Sequence, residues 1–172
     1  MRDSFTESCG VLKRAGLFEV DVFPALPERA PRYDEELTGV SFFRTRVADV
    51  ALENLSLART FFGRSEIRGV LFRGTDLSES TMNWSDFVDV DFSGADLSRA
   101  DLRGSIFERV RFIDAVLRGA DLRRATFRGC DFTGADMTGA RLSRAVGWYF
   151  RLSRAQRCVV DWQPAGPEPE GG

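Results

Sequence analysis

The most regular feature of the chain is a large apolar residue at every fifth position from Leu37 to Leu142. All 22 of these positions hold Leu, Phe, Ile, Val or Met, and the spacing never slips. Two residues before each apolar centre the side chain is small or β-branched in 20 of the 22 repeats, with Glu35 and Leu55 as the exceptions. The pattern therefore predicts two inward-facing columns of side chains.

A period of five residues fits neither a continuous α-helix nor a flat β-strand. Five helical residues turn by about 500°, which would spread the centres around the helix, and five strand residues would place successive centres on opposite faces. A corner in each repeat would let every centre point towards one axis. The Gly, Asp, Asn and Ser residues between the centres are well suited to such corners. We therefore expect a solenoid.

The repeat resembles the A(D/N)LXX motif of the pentapeptide-repeat family, and the motif is clearest at Ala95-Asp96-Leu97, Ala100-Asp101-Leu102 and Ala120-Asp121-Leu122. The resemblance covers about two thirds of the chain. It implies an all-β fold, a right-handed quadrilateral β-helix with four repeats per coil and an internal ladder of Leu and Phe. Residues 35–144 would then make about 5.5 coils. At the usual spacing of parallel strands the rod would be about 26 Å long.

Outside the repeat, both ends of the chain are expected to cap the solenoid, because the first and last coils of a stack lack a neighbour. Residues 1–34 are predicted to form the N-terminal capping segment, with a strand in the alternating stretch 18–23. Residues 145–163 are predicted to form the C-terminal cap. There, residues 148–150 would cover the ladder, and residues 152–160 would form a short helix with Leu152, Gln156 and Val159 near one face. Residues 164–172 read as a flexible tail.

The charge balance gives the molecule no overall field that would attract a polyanion. Lys and Arg number 24 against 26 Asp and Glu, for a net charge of −2, so charged recognition must come from local patches. We expect a protein partner rather than nucleic acid or a membrane. Cys9, Cys130 and Cys158 lack the spacing of a disulfide framework or a zinc site, and no segment reads as a signal peptide or membrane span. These features indicate a cytoplasmic bacterial protein.

The residue types that usually perform catalysis are scarce. The chain has no histidine, the side chain best suited to proton transfer at neutral pH and the commonest metal ligand. The aspartates that precede many centres are explained by solvated turns, and the glycines form no phosphate-binding loop. Cys130 falls in the small inward column and should behave as a buried apolar group. We predict no catalytic, cofactor-binding or metal-binding residues, and a protein that is not an enzyme.

One side of the expected rod is basic. With four repeats per coil, centres twenty residues apart share a face, and the face of Met82 carries a net charge of +5, whereas the other three carry −1 or −2. The basic face also holds aromatic residues at outward positions, a combination that often dominates protein interfaces. The predicted partner-binding residues are Phe43, Arg44, Phe61, Arg64, Trp84, Arg103, Arg123 and Arg124. Alternatively, the N-terminal segment folds over the aromatic residues.

Several functions remain open at this stage. A rigid face with a few anchors suits a module that binds a bacterial protein, of the immunity or scaffold type. The family resemblance implies an alternative, a DNA-mimicking protein that binds DNA gyrase or topoisomerase IV and protects it from topoisomerase poisons. The basic face and a rod shorter than a DNA turn of about 34 Å argue against that alternative. Direct nucleic-acid binding and catalysis are the remaining candidate functions. The sequence does not decide between a monomer and a homodimer.

Overall fold

The chain, described from a computed structural model, forms a parallel β-solenoid of about six turns. The structure describes residues 1–17, 26, 28–30, 41–42, 44–144 and 151–164. Its elements in chain order are α1 (Phe5–Arg14), β1 (Arg46–Ala48), β2 (Glu66–Arg68), β3 (Asp86–Val88), β4 (Ile106–Glu108), β5 (Thr126–Arg128), β6 (Arg141–Ser143), α2 (Arg154–Val159) and β7 (Asp161–Gln163). The predicted solenoid is confirmed.

Each coil consists of four repeats. Strands β1 to β5 pair in parallel and in chain order, and paired residues are twenty positions apart, as in Phe87 and Phe107. The other sides of the rod are joined by isolated parallel bridges at the same spacing, such as Asp76 with Asp96. One side is therefore a narrow five-stranded sheet, and the register predicted from the sequence holds around the whole coil.

The interior is filled by the apolar ladder. Every ladder centre that the structure describes, from Phe42 to Leu142, is buried. Phenylalanines one coil apart stack face to face, with 5.0 Å between the ring centroids of Phe87 and Phe107 and 5.2 Å between those of Phe107 and Phe127. Neighbouring columns meet edge to face, as Phe107 does with Phe112 at 5.5 Å. Stacked and edge-on rings are the arrangements that aromatic quadrupoles favour.

The corners require an uncommon backbone conformation. The second residue after every centre from Phe42 to Met137 has a positive φ, between 51° and 71°. Glycine adopts this left-handed conformation freely, whereas other residues pay about 1–2 kcal/mol. Twelve corners nevertheless hold a residue other than glycine. The rod therefore tolerates backbone strain at its edges, where the side chains project outwards.

Gly94→Ala is expected to destabilise the rod by about 1 kcal/mol. Gly94 has φ +66°, and an added Cβ would approach no atom closer than the backbone nitrogen of Gly74 at 4.0 Å, so the loss would come from the backbone alone. Gly10→Ala in α1 is the control, and it should stabilise by roughly 0.5–1 kcal/mol because helices disfavour glycine. Urea unfolding of both variants measures whether the free energy of unfolding falls for Gly94→Ala and rises for Gly10→Ala. Equal effects would contradict this account of the corners.

Aspartates before the ladder centres brace the corners. The carboxylate of Asp76 accepts a hydrogen bond from the N–H of Ser78 at 3.0 Å, and that of Asp136 accepts one from the N–H of Thr138 at 3.1 Å. Such side chains mimic a backbone turn. Asp91 makes the same contact but is buried, so the prediction of a solvated turn residue is wrong for this position.

The N-terminal helix α1 covers the coil that contains Ser56. In later coils the equivalent N–H groups, those of Asp76 and Asp96, donate to carbonyl oxygens of the preceding coil. The N–H of Ser56 instead donates to the hydroxyl of Ser8 in α1 at 2.7 Å. Leu12 of α1 is fully buried in the same core cluster as the ladder. Sequence analysis missed this helix, although Ser4 and Glu7 form the capping box that marks its start, and the strand predicted at 18–23 lies outside the described residues.

At the other end, the twenty-residue register continues beyond the repeat. Strand β7 pairs in parallel with β6, which places Trp162 opposite Leu142. Between them, α2 lies within the predicted range 152–160, and Gln156 donates from its side-chain amide to the carbonyl oxygens of Phe132 and Ala135. Val159, expected on the packed face, is exposed. The aromatic residues at 148–150 and the tail from 165 lie outside the described residues.

Candidate functional site

One corner of the rod carries an unusual line of side chains. Arg64, Trp84, Gly104 and Arg124 occupy the same corner position in four successive coils, twenty residues apart. We call this line the ridge. At one strand spacing per coil, the Cα atoms of Arg64 and Arg124 are about 14 Å apart.

Trp84 is the most prominent residue of the ridge. It is 56% exposed, and its backbone is in the left-handed conformation with φ 55°. Its ring lies against the next corner, since a Cβ built on Gly104 would come within 2.7 Å of the ring carbons. Only glycine therefore leaves room for the ring there. A large exposed aromatic residue on a strained backbone adds nothing to the core, and such features concentrate at binding surfaces.

The ridge borders an open cleft of about 370 Å³. The cleft is lined by Trp84, Arg103, Arg123, Arg124, Ser143, Gln163 and Pro164. Strand β7 brings Gln163 to this position, because its pairing with β6 sets Gln163 beside Ser143. Four of the predicted partner-binding residues are thus brought together around one surface depression.

Two of the three cleft arginines, all of them predicted site residues, are engaged in ion pairs within the coil. Arg103 donates to the carboxylate of Asp101 at 2.7 Å, and Arg123 donates to that of Asp121 at 2.6 Å. Partial burial acts to raise the pKa of Asp121, but hydrogen bonds from the side chain and backbone of Arg123 outweigh it and hold the pKa below its ordinary value. Asp121 is therefore ionised at neutral pH, and its charge offsets that of Arg123.

Two arginines of this face that carry uncompensated positive charge lie on the ridge. Arg64 and Arg124 are exposed and form no ion pair with any residue that the structure describes. The net charge of +5 counted from the sequence treats all the arginines alike. The structure separates Arg103 and Arg123, which pair with aspartates of their own coils, from Arg64 and Arg124, which face solvent.

The aromatic residues predicted beside Trp84 do not share its exposure. Phe61 is only 5% exposed, so the prediction that it projects outwards as an anchor is wrong. Its ring lies across the corner at Gly63, where an added Cβ would come within 2.8 Å of the ring. Arg44 is exposed at the same corner as Arg64. Phe43 lies outside the described residues.

Sequence analysis missed several residues that shape the site. Gly104 supports the Trp84 ring, and Ser143, Gln163 and Pro164 form the far wall of the cleft. A signal for three of them was present, because Gly104 follows Trp84 by twenty residues, and Ser143 and Gln163 follow Arg123 by twenty and forty. Extending the register past the last recognisable repeat would have found the cleft wall.

The described part of the chain offers little reactive chemistry. It holds no group of three or more His, Cys, Asp or Glu side chains able to bind a metal ion. Burial raises the pKa of the Cys9 thiol to about 11 and also raises that of Cys130, so neither is a thiolate at neutral pH. No helix within the described ranges is long and apolar enough to cross a membrane.

Comparison with known proteins places these features in context. The sequence matches the family model described as pentapeptide repeats, in eight copies over residues 65–104 and 105–144. No curated protein matches the sequence significantly.

Three solved structures illustrate the similarity. A pentapeptide repeat protein from the Arabidopsis thaliana thylakoid lumen is 28% identical, with 75% of this chain and 79% of that chain covered and a TM-score of 0.36. Rfr23 from the cyanobacterium Cyanothece is 16% identical, with coverage of 62% and 86% and a TM-score of 0.36. Trypsin-treated QnrB1, a plasmid-mediated fluoroquinolone resistance protein, is 23% identical, with coverage of 57% and 53% and a TM-score of 0.33.

Proposed function

Because the chain belongs to the pentapeptide-repeat family, we propose that it is a non-enzymatic solenoid that binds a bacterial protein partner, of the immunity or scaffold type, through a rigid outer surface. The observation that carries the proposal is the ridge, where an exposed tryptophan stands between two unpaired arginines. Tryptophan and arginine are the residue types most enriched among the contacts that dominate protein interfaces. The three cysteines are free, which fits the cytoplasm as the site of action.

The ridge stands on a framework with little freedom to move. The backbone of Trp84 is held by its N–H, which donates to the carbonyl oxygen of Arg103 in the next coil at 3.0 Å. The adjacent Ser85 is buried and donates from its hydroxyl to the carbonyl oxygen of Phe62 at 2.7 Å. A surface that is ordered before binding loses less conformational entropy on association. This rigidity supports recognition by a fixed surface rather than by a folding segment.

The alternative of a DNA-mimicking gyrase inhibitor needs a surface that resembles a polyanion. The ridge has the opposite charge, and the aspartates of the adjoining coil side, Asp101 and Asp121, are neutralised by Arg103 and Arg123. We therefore treat binding to gyrase or topoisomerase IV as one outcome of the test below. Altered DNA supercoiling by the purified protein at micromolar concentration would favour that outcome.

A double substitution, Arg64→Ala with Trp84→Ala, is expected to abolish partner capture and leave the melting temperature unchanged within about 2 °C. Both side chains project from the rod and neither belongs to the core. The measurement is affinity capture from a bacterial lysate with wild type and variant side by side, in which gyrase and topoisomerase IV subunits are scored explicitly. A protein lost with the variant supports the proposal.

Arg128→Ala provides the matched control for that experiment. Arg128 is an exposed arginine on β5, on a different side of the rod. The Arg128→Ala variant should capture the same protein as wild type. If the double variant captures its partners as well as wild type does, the ridge is not the binding surface.

A further inference from the structure

We propose that the ridge binds an extended acidic segment of the protein partner, in which two carboxylates four residues apart flank an apolar residue. This inference rests on the proposed function and specifies the chemistry of the segment that is recognised. Three observations lead to it: the spacing of the two unpaired arginines, their charge, and the place of the tryptophan between them.

The spacing selects an extended chain. Arg64 and Arg124 are three coils apart, which corresponds to about 14 Å. An extended peptide rises about 3.3–3.4 Å per residue, so two residues four positions apart are about 13–14 Å apart and point to the same side. Four residues of an α-helix span only about 6 Å. A strand laid along the rod therefore reaches both arginines with carboxylates four residues apart, whereas that spacing on a helix covers less than half of the interval.

The charges select carboxylates. The guanidinium groups of Arg64 and Arg124 are exposed and make no ion pair among the described residues. Arg103 and Arg123, which line the cleft beside them, already donate to Asp101 and Asp121. A bound carboxylate at either end of the ridge would thus meet an arginine with its donors available, in the planar geometry that carboxylates accept in pairs.

The position of Trp84 favours an apolar residue between the two carboxylates of the peptide. Trp84 is attached one coil beyond Arg64, and its ring leans over the corner at Gly104 in the following coil. The ring therefore lies near the middle of the 14 Å interval, about 7 Å from either end. The residue two positions after the first carboxylate of an extended peptide occupies the same height and faces the same side. An apolar side chain there would pack on the exposed ring.

Short labelled peptides test the spacing directly. The matched peptide has the order Glu-Ser-Leu-Ser-Glu between Gly-Ser flanks, and the control has the same composition in the order Glu-Glu-Ser-Leu-Ser. A third peptide replaces both Glu with Gln. We expect the full-length protein to bind the matched peptide about fivefold more tightly than either control at 50 mM salt, measured by fluorescence anisotropy. Equal affinities, or no binding of the matched peptide at millimolar protein, would overturn the inference.

Substitutions then locate the peptide on the protein. Arg124→Gln and Arg64→Gln should each weaken matched-peptide binding about fivefold and remove the preference for the matched order, and Trp84→Ala should weaken binding about tenfold. Arg128→Gln is the control and should change nothing. An equal loss with Arg128→Gln would reduce the effect to general charge attraction and overturn the assignment.

The two proposals fail separately. If the Arg64→Ala, Trp84→Ala variant loses its protein partner but the peptides show no order preference, the ridge is an interface for a partner of different shape and only this inference fails. If partner capture survives that double substitution, the proposed function of the ridge fails whatever the peptides do.

Discussion

Phe107→Asp is expected to eliminate the cooperative thermal unfolding transition of the solenoid. Phe107 is fully buried, and its ring stacks between those of Phe87 and Phe127 at 5.0 and 5.2 Å. Truncation of a buried phenylalanine costs about 3–5 kcal/mol, and an uncompensated buried carboxylate adds several more. The total is comparable to the entire stability of a typical domain, about 5–15 kcal/mol. Circular dichroism during heating measures the outcome.

Ile106→Asp is the matched control for this substitution. Ile106 precedes Phe107 on β4, lies on the outer side of the strand and is 38% exposed. Its paired residue on β3 is Asp86, so the substitution adds a like-charge repulsion of a few tenths of a kcal/mol at the exposed surface. The Ile106 variant should melt within a few degrees of wild type. If Phe107→Asp also melts like wild type, the inward register of the ladder is wrong.

Leu12→Asp should detach the helix α1 and destabilise the N-terminal coils by about 3–5 kcal/mol. Leu12 is completely buried in the core cluster, so its loss combines a cavity with a buried charge. The stability of a solenoid is largely a sum of contacts between neighbouring coils. Hydrogen exchange should therefore show lost protection first at the N–H of Ser56, whose acceptor is Ser8 of α1, and last in β5.

Thr6→Ala serves as the comparison on the same helix, because Thr6 is exposed. It should leave both the urea midpoint and the exchange pattern close to those of wild type. Uniform loss of protection along the rod in Leu12→Asp would mean that α1 supports the whole fold rather than its first coils.

The repeating part of the fold could be predicted because one rule governs every coil. A centre such as Phe107 must point inwards in each repeat, and any slip of one residue would bury charge, so the sequence pattern and the structure contain the same information. Four repeats per coil came from the family resemblance. The pairing of Phe87 with Phe107 confirms it.

The capping elements and the details of the candidate site could not be predicted in this way, because they depend on contacts that do not recur from coil to coil. Helix α1 is anchored by single groups, such as the hydroxyl of Ser8, that replace a neighbouring coil and leave no repeated signal. Phe61 and Trp84 stand on neighbouring parts of one side and each ring lies against a glycine, yet one ring is buried and the other exposed, a difference that the repeat pattern does not contain. The pairing of Arg103 with Asp101 likewise depends on side-chain conformation, which charge counting ignores.

The coil of four repeats also restricts how the chain can evolve. Gain or loss of one pentapeptide between Trp84 and Arg124 would preserve the ladder, because any repeat can stack on any other. It would, however, turn every later residue by a quarter of a coil and carry Arg124 to another side of the rod. Insertions and deletions that keep Arg124 on the same side as Trp84 must therefore come in units of twenty residues. Even one whole coil would change the interval of about 14 Å between Arg64 and Arg124 by about 4.8 Å, so a descendant that keeps the same partner should keep the length of this segment.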